Sequence, residues 1–264
     1  MTRRGWCRTA LSPSHLPGLD YSLNPYKGCA HNCVYCYAPP LLHMDRNRWP
    51  DVEARINIPQ VLRREVKVKK PGIVGLSTVT DPYQPAEKKF ELTRKCLPLL
   101  LKRGFSANVQ TKSDLVLRDR DLLGSSDRVA VGITITTLDE DLSNALEPGA
   151  PPPHRRLQAV KALAEAGIYT YVFWGPLLPS LDEESLPAYV EAFASHGARE
   201  IMVDMLHVKP GVTAGLSAVL PPDRAALFEQ RLRGDYYPRI LEAVERACRG
   251  RIPLTRAFAD RGGP

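Results

Sequence analysis

No apolar run in this chain approaches the eighteen or so residues needed to cross a membrane. Its first twenty residues, Met1 to Asp20, are basic, small and proline-bearing, without the apolar core of an export signal. A membrane protein and a secreted one are therefore not expected, and the chain reads as cytoplasmic. Cysteine is scarce, six in 264 residues, and cytosolic thiols stay reduced, which argues against a disulfide framework. There is no Gly-rich phosphate cradle and no serine, histidine and acid arrangement; His15, His154, His196 and His207 are scattered. Neither an internal repeat nor a long linker divides the chain. With 44% hydrophobic and 25% charged residues, disorder is not indicated either.

What is present is unevenly placed. Residues 1 to 70 hold twelve Lys and Arg against five Asp and Glu, whereas residues 71 to 264 hold 24 of each sign, so the whole net charge of +7 lies in the first segment. Such a field suits a polyanion such as DNA or RNA, an acidic protein partner, or simply a solvated face.

Three of the six cysteines fall within eight residues of that segment. Cys29, Cys33 and Cys36 are spaced C-x3-C-x2-C inside the stretch Asn24 to Tyr37. Thiolates at this spacing can hold three corners of a cubane iron–sulfur cluster and leave one iron open. The alternative is a zinc site that recruits His31, Cys7 or Cys96 as its fourth ligand.

The spacing, with an aromatic residue just before the last cysteine, resembles the signature of the radical S-adenosylmethionine (SAM) superfamily. The flanks Asn24-Pro25-Tyr26-Lys27-Gly28-Cys29 and Cys36-Tyr37-Ala38 are similar to its spore photoproduct lyase-like branch. The likeness runs from about Tyr21 to Pro179 and is strongest there, at Thr80 to Pro85 and at Glu147 to Pro151. It implies a 4Fe–4S cluster on Cys29, Cys33 and Cys36 whose open iron chelates SAM. It also implies a reductant such as flavodoxin or ferredoxin, whose electron cleaves SAM to methionine and a 5′-deoxyadenosyl radical that abstracts hydrogen from a substrate. Where that branch carries a cysteine hydrogen donor, near the end of the second strand, Leu76 to Asp81 contains none. The substrate stays open between nucleic acid and a peptide or small metabolite, and a non-enzymatic zinc-binding module is the alternative of another class.

Hydrophobic periodicity supplies the fold class. Strands are expected at Tyr21 to Tyr26, Gly72 to Ser77, Phe105 to Thr111, Arg128 to Thr137, Ile168 to Gly175 and Arg199 to His207. Between them, helices are expected at Pro59 to Lys70, Pro85 to Arg103, Asp114 to Leu123, His154 to Ala166 and Asp182 to His196, several ended by glycine. Six such units predict an α/β chain, and the resemblance makes it an open, partial six-unit βα barrel of the radical SAM type with C-terminal helices. Residues 1–20 are expected to be an irregular lead-in and residues 21–210 the barrel. Residues 211–264 read as a helical extension of the same domain, broken near Gly234 and covering an edge or the bottom. Pro39 to Pro50 reads as irregular.

Working residues of parallel barrels sit at the C-terminal ends of strands. Ser77, Thr80 and Asp81 offer hydroxyls and a carboxylate to an amino group, or merely turn the chain into a helix with Glu87 as its first-turn acid. By the resemblance, Lys112 contacts the SAM carboxylate; otherwise it is an exposed lysine. Thr134 and Thr136 share a strand face and are SAM contacts or ordinary strand formers. Tyr35 and Tyr37 neighbour the adenosine or pack the loop. One of Arg155 and Arg156 reaches SAM or lies on a helix surface, and Phe173 and Trp174 line a pocket or fill the core.

Overall fold

The computed structural model describes residues 2–257. Met1, at the start of the expected lead-in, and residues 258–264, at the end of the expected extension, lie outside the described residues.

All six expected strands form: Tyr21–Leu23, Ile73–Leu76, Ser106–Thr111, Val129–Thr134, Tyr169–Leu177 and Ile201–Met205. Each pairs in parallel with the next in chain order, and the sheet stays open, as a partial barrel requires. Alternation gives the sheet two faces. Along Ser106–Thr111, for example, Ala107, Val109 and Thr111 are buried while Ser106, Asn108 and Gln110 are half-buried. The connecting helices close the buried side, Leu92–Leu101 with Leu97 and Leu100 and Pro153–Glu165 with Val160 and Leu163. Each of these side chains contributes about 1.5–3 kcal/mol by leaving water. Helix stops fall where expected, with Gly167 at φ +75° and Gly197 at φ +85°, a backbone region that only glycine enters without strain.

Elsewhere the chain departs from expectation for local reasons. The lead-in is not wholly irregular. Arg3–Gly5 pairs in parallel with Glu53–Arg55, which takes Tyr26–Lys27 on its other side, and the three make a small second sheet. Ser12–Pro13 adds an antiparallel edge to Tyr21–Leu23. Strands of two or three residues carry no readable period. The Pro85 to Arg103 helix is two helices, Glu87–Phe90 and Leu92–Leu101, with Glu91 at φ +51° between them. The buried Glu87 carboxylate accepts the amides of Thr93 and Arg94, each at 3.1 Å, and so does the work of an N-cap. Pro39 to Pro50 is more ordered than expected, holding the short helix Ala38–Leu41 and the 3-10 turn Arg46–Arg48.

After Met205 come three helices, Val212–Val219, Pro222–Arg233 and Tyr236–Cys248, with the expected break at Gly234. A seventh parallel strand, Leu254–Arg256, then joins the free side of Ile201–Met205. The first two helices bury Val212, Leu216, Ala225 and Phe228 in one cluster with Cys33, Tyr35, Leu142 and Leu146. They therefore close over the cysteine loop rather than over the far end of the barrel. Among the described residues no helix is long and apolar enough to cross a membrane.

Candidate functional site

The cysteine loop begins where Tyr26–Lys27 leaves the small sheet. Gly28 sits at φ +80°, and a Cβ there would stand 2.7 Å from Trp49 O, the carbonyl that also accepts Cys29 N at 3.0 Å. Two tight turns follow, Asn32 N to Cys29 O at 3.3 Å and Cys36 N to Cys33 O at 3.1 Å. Cys29 and Cys33 are buried, Cys36 is half-buried, and all three are free thiols. Burial first, then the charges of Asp81, Cys33 and Cys36, push the Cys29 thiol well above its ordinary range. Burial likewise pushes Cys33 up to about 12 against the pull of Lys112. A cation bound among these thiols reverses that preference, because metal binding deprotonates them.

The segment after the fourth strand grips the loop from behind. Val34 N donates to Leu146 O at 2.8 Å and Gly149 N to His31 O at 3.0 Å. A Cβ on Gly149 would lie 2.0 Å from Ala30 O, so no larger residue fits there without moving the loop. Glu147 is the hub. Its Oε1 accepts from the Tyr35 hydroxyl and from Thr136 Oγ1 at 2.9 Å, and lies 3.9 Å from Lys112 Nζ. Its Oε2 pairs with Arg156 Nη1 at 2.5 Å and accepts from Ser143 Oγ at 3.3 Å. Burial would raise the Glu147 pKa, but Arg156 and Lys112 prevail and hold it at about 2.

The segment after the second strand holds the loop from the other side. Thr80 Oγ1 donates to Gly28 O at 2.6 Å, and Gln84 accepts Ala30 N at 3.0 Å while donating to Gly28 O at 3.2 Å. Asp81 accepts from Thr111 Oγ1 at 2.6 Å, Tyr83 N at 2.8 Å and Lys112 N at 2.9 Å, and lies 3.3 Å from His31 Nδ1. Burial raises its pKa, yet His31 and Thr111 outweigh it and bring the carboxyl to about 2. Ser77 is different. Its backbone is left-handed at φ +65°, its amide donates to Leu23 O at 2.8 Å, and its buried Oγ has no hydrogen-bond partner.

Most of the residues singled out in the sequence thus converge on one loop, though several in supporting positions. The side-chain oxygens of Thr80, Asp81 and Thr136, expected at SAM, are engaged by the protein. Tyr35 packs the loop through Glu147, while Tyr37 donates to Thr78 O and is 41% exposed. Thr134 is buried, and its carbonyl accepts Arg156 Nη1 at 3.3 Å. Arg156 is a buried partner of Glu147 rather than a helix-surface cation, whereas Arg155 pairs with Asp114 at the surface. Trp174 fills the core, stacked on Tyr189 at 5.0 Å. Glu147 and Gln84 hold the loop through contacts that the sequence does not reveal, and so does Arg46, whose Nη2 donates to Asn32 O at 3.1 Å and to Cys33 O. Glu147 stood inside a recognisable segment, but a lone acid beside Pro-Gly reads the same on a surface.

The donor set fits a cluster better than a zinc ion. His31 lies against Asp81, Cys7 is tied through its amide to Asn57 Oδ1 at 2.8 Å, and Cys96 is buried inside Leu92–Leu101. Among the described residues, no group of three or more His, Cys, Asp and Glu could hold a single metal ion. Zinc needs four donors about 2.0–2.3 Å from one centre. A cubane takes each thiolate on a different iron and tolerates thiols set further apart.

A family model described as the radical SAM superfamily matches residues 23–193. An uncharacterized protein of Methanocaldococcus jannaschii is 37% identical over 173 residues, which is 65% of this chain and 65% of that one. The match therefore spans just under two thirds of that relative. Spore photoproduct lyase with bound AdoMet and dinucleoside spore photoproduct superposes with a TM-score of 0.77 at 15% identity, covering 97% of this chain and 82% of that one. Streptococcus suis SuiB bound to its precursor peptide SuiA gives 0.58 at 15% identity, covering 91% and 49%. At such identities the likeness is one of fold.

Proposed function

The chain belongs to the radical SAM superfamily, which works with a 4Fe–4S cluster and SAM, and on that premise we propose that Cys29, Cys33 and Cys36 hold the cluster of a SAM-cleaving enzyme. The observation that carries this reading is three free thiols in one loop, held on two sides by the ends of other strands. When bound, the cluster supplies the electron that splits SAM into methionine and a 5′-deoxyadenosyl radical able to take hydrogen from a substrate.

The chain's own residues divide the remaining work. Ser77 Oγ, buried and unpartnered, offers a hydrogen bond to the SAM amino or carboxylate group, and Lys112 offers the carboxylate a charge. Thr134 and Tyr37 contact the rest of SAM. Thr80, Asp81, Thr136 and Tyr35 act through the loop that they fix. Leu142 and the helices Val212–Val219 and Pro222–Arg233 exclude water from it. The electron comes from a one-electron donor of the flavodoxin or ferredoxin kind.

For the substrate we favour nucleic acid. Arg3, Glu53 and Lys27 stand in register across the small sheet, with exposed Arg4 and Arg8 and a Trp6 that is 74% exposed nearby in the chain. Cations beside an exposed aromatic suit phosphates and an unstacked base. The dinucleoside bound by spore photoproduct lyase supports this choice, and the precursor peptide bound by SuiB supports the second reading, a peptide. Hydrogen return from a thiol at the end of the second strand is not proposed, since Ser77 stands there.

Anaerobic purification with iron and sulfide analysis, followed by SAM cleavage under dithionite, is the test. Four irons with sulfide, and release of 5′-deoxyadenosine, are expected. One zinc with no sulfide and no cleavage would replace the reading by a zinc module. Retention of cluster and cleavage in Cys33→Ala would end it.

A further inference from the structure

The turn that follows the cysteine loop aims a cation back at it. Asp45 opens this turn by accepting Asn47 N at 2.9 Å, and the residue between them, Arg46, reaches into the loop. Arg46 Nη2 donates to Asn32 O at 3.1 Å and to Cys33 O. Its Nη1 is cut off from solvent yet has no hydrogen-bond partner. A guanidinium nitrogen left so is costly, and buried donors in folded proteins nearly always have an acceptor. The Nη2 contacts place this guanidinium on the backbone of the loop between Cys29 and Cys36, at Asn32 and Cys33. Arg48, two residues on, is exposed.

We propose that Arg46 is a positioning residue that raises the reduction potential of the cluster, its unpartnered Nη1 donating to a cluster sulfur. The proposal rests on the cluster reading given above. The physical reason is simple. Reduction adds one negative charge to a group already ligated by three thiolates, and an adjacent cation favours the more negative state. Hydrogen bonds to the sulfurs act in the same direction. Arg46 is half-buried, and its Nη1 acts from a point that solvent does not reach.

Wild type, Arg46→Met, Arg46→Lys and Arg48→Met are reconstituted anaerobically, assayed for iron and sulfide per chain, and titrated with dithionite under electron paramagnetic resonance. At the potential that half-reduces the wild-type cluster, Arg46→Met is expected to show a tenfold lower ratio of reduced to oxidised cluster, a downward shift of 59 mV. Arg46→Lys, which keeps the charge without the planar fork, should fall between the two, and Arg48→Met should match wild type. An unchanged potential in Arg46→Met overturns the proposal. So does an equal shift in Arg48→Met, which would make the effect one of diffuse charge. Loss of the cluster from both Arg46 variants with unchanged circular dichroism also overturns it, leaving Arg46 as a strap for the loop. Absence of a cluster in wild type removes the cysteine assignment first and this proposal with it.

Discussion

Arg156 and Glu147 form an ion pair sealed from solvent behind the cysteine loop, with Nη1 and Oε2 at 2.5 Å and side-chain exposures of 1% and 0%. Glu147→Ala would leave Arg156 uncompensated and release the Tyr35 hydroxyl. A loss of about 3–5 kcal/mol is expected in urea unfolding of the metal-free protein. The double change Glu147→Met with Arg156→Met should cost less than the two single changes added together. Strict additivity would show that the pair does not act as a unit.

Gly149→Ala tests the grip on the loop rather than the stability of the sheet. Its new Cβ would meet Ala30 O at 2.0 Å, and Ala30 must move, carrying Cys29 and His31 with it. Iron incorporated per chain should drop well below the wild-type value while far-ultraviolet circular dichroism is unchanged. Full iron content would mean that the loop can shift without consequence for the thiols.

Acid should undo the same supports. Asp81 and Glu147 have native pKa values of about 2, below their ordinary 3.8 and 4.5. The unfolded chain thus takes up these protons first as pH falls. The stabilisation is complete above about pH 5 and is lost as pH drops through the native values near 2. Unfolding free energy measured by denaturant titration should decline across this window, and less steeply in Glu147→Gln. Equal slopes in variant and wild type would contradict the depressed Glu147 pKa.

Trp6 reports directly on the nucleic-acid reading, because Trp49 and Trp174 are buried at 1% and 0% exposure. Binding of a single-stranded oligonucleotide should quench the fluorescence of Trp6. Trp6→Ala should weaken binding by about 1–3 kcal/mol. Lys27→Ala should lower the slope of log affinity against log salt by about one. Affinity independent of salt would point instead to the peptide reading.

The parallel strands are legible because most are β-branched or apolar runs bounded by glycine, proline or charge, and Cys29, Cys33 and Cys36 stand out because three of six cysteines fall within eight residues. What escapes sequence reading depends on individual side-chain contacts rather than on periodicity. Glu87 breaks a helix by capping its second half, and nothing in Glu87 to Arg94 announces that its carboxylate turns back. Thr80 and Asp81 stand at the end of the second strand and bond to Gly28 O and Thr111 Oγ1, contacts that the sequence does not announce because a group suited to a ligand is equally suited to the protein. Leu254–Arg256 is too short to show alternation and becomes a strand only because Ile201–Met205 presents an open edge.

Tyr35 and Glu147 are 112 residues apart in the chain. During synthesis the three cysteines therefore leave the ribosome long before Leu146, Glu147 and Gly149 do. In that interval the thiols have neither the carbonyl of Leu146 nor the carboxylate hub to shape their loop. The cysteine loop can take its final shape only after the fourth strand and the turn beyond it have been made.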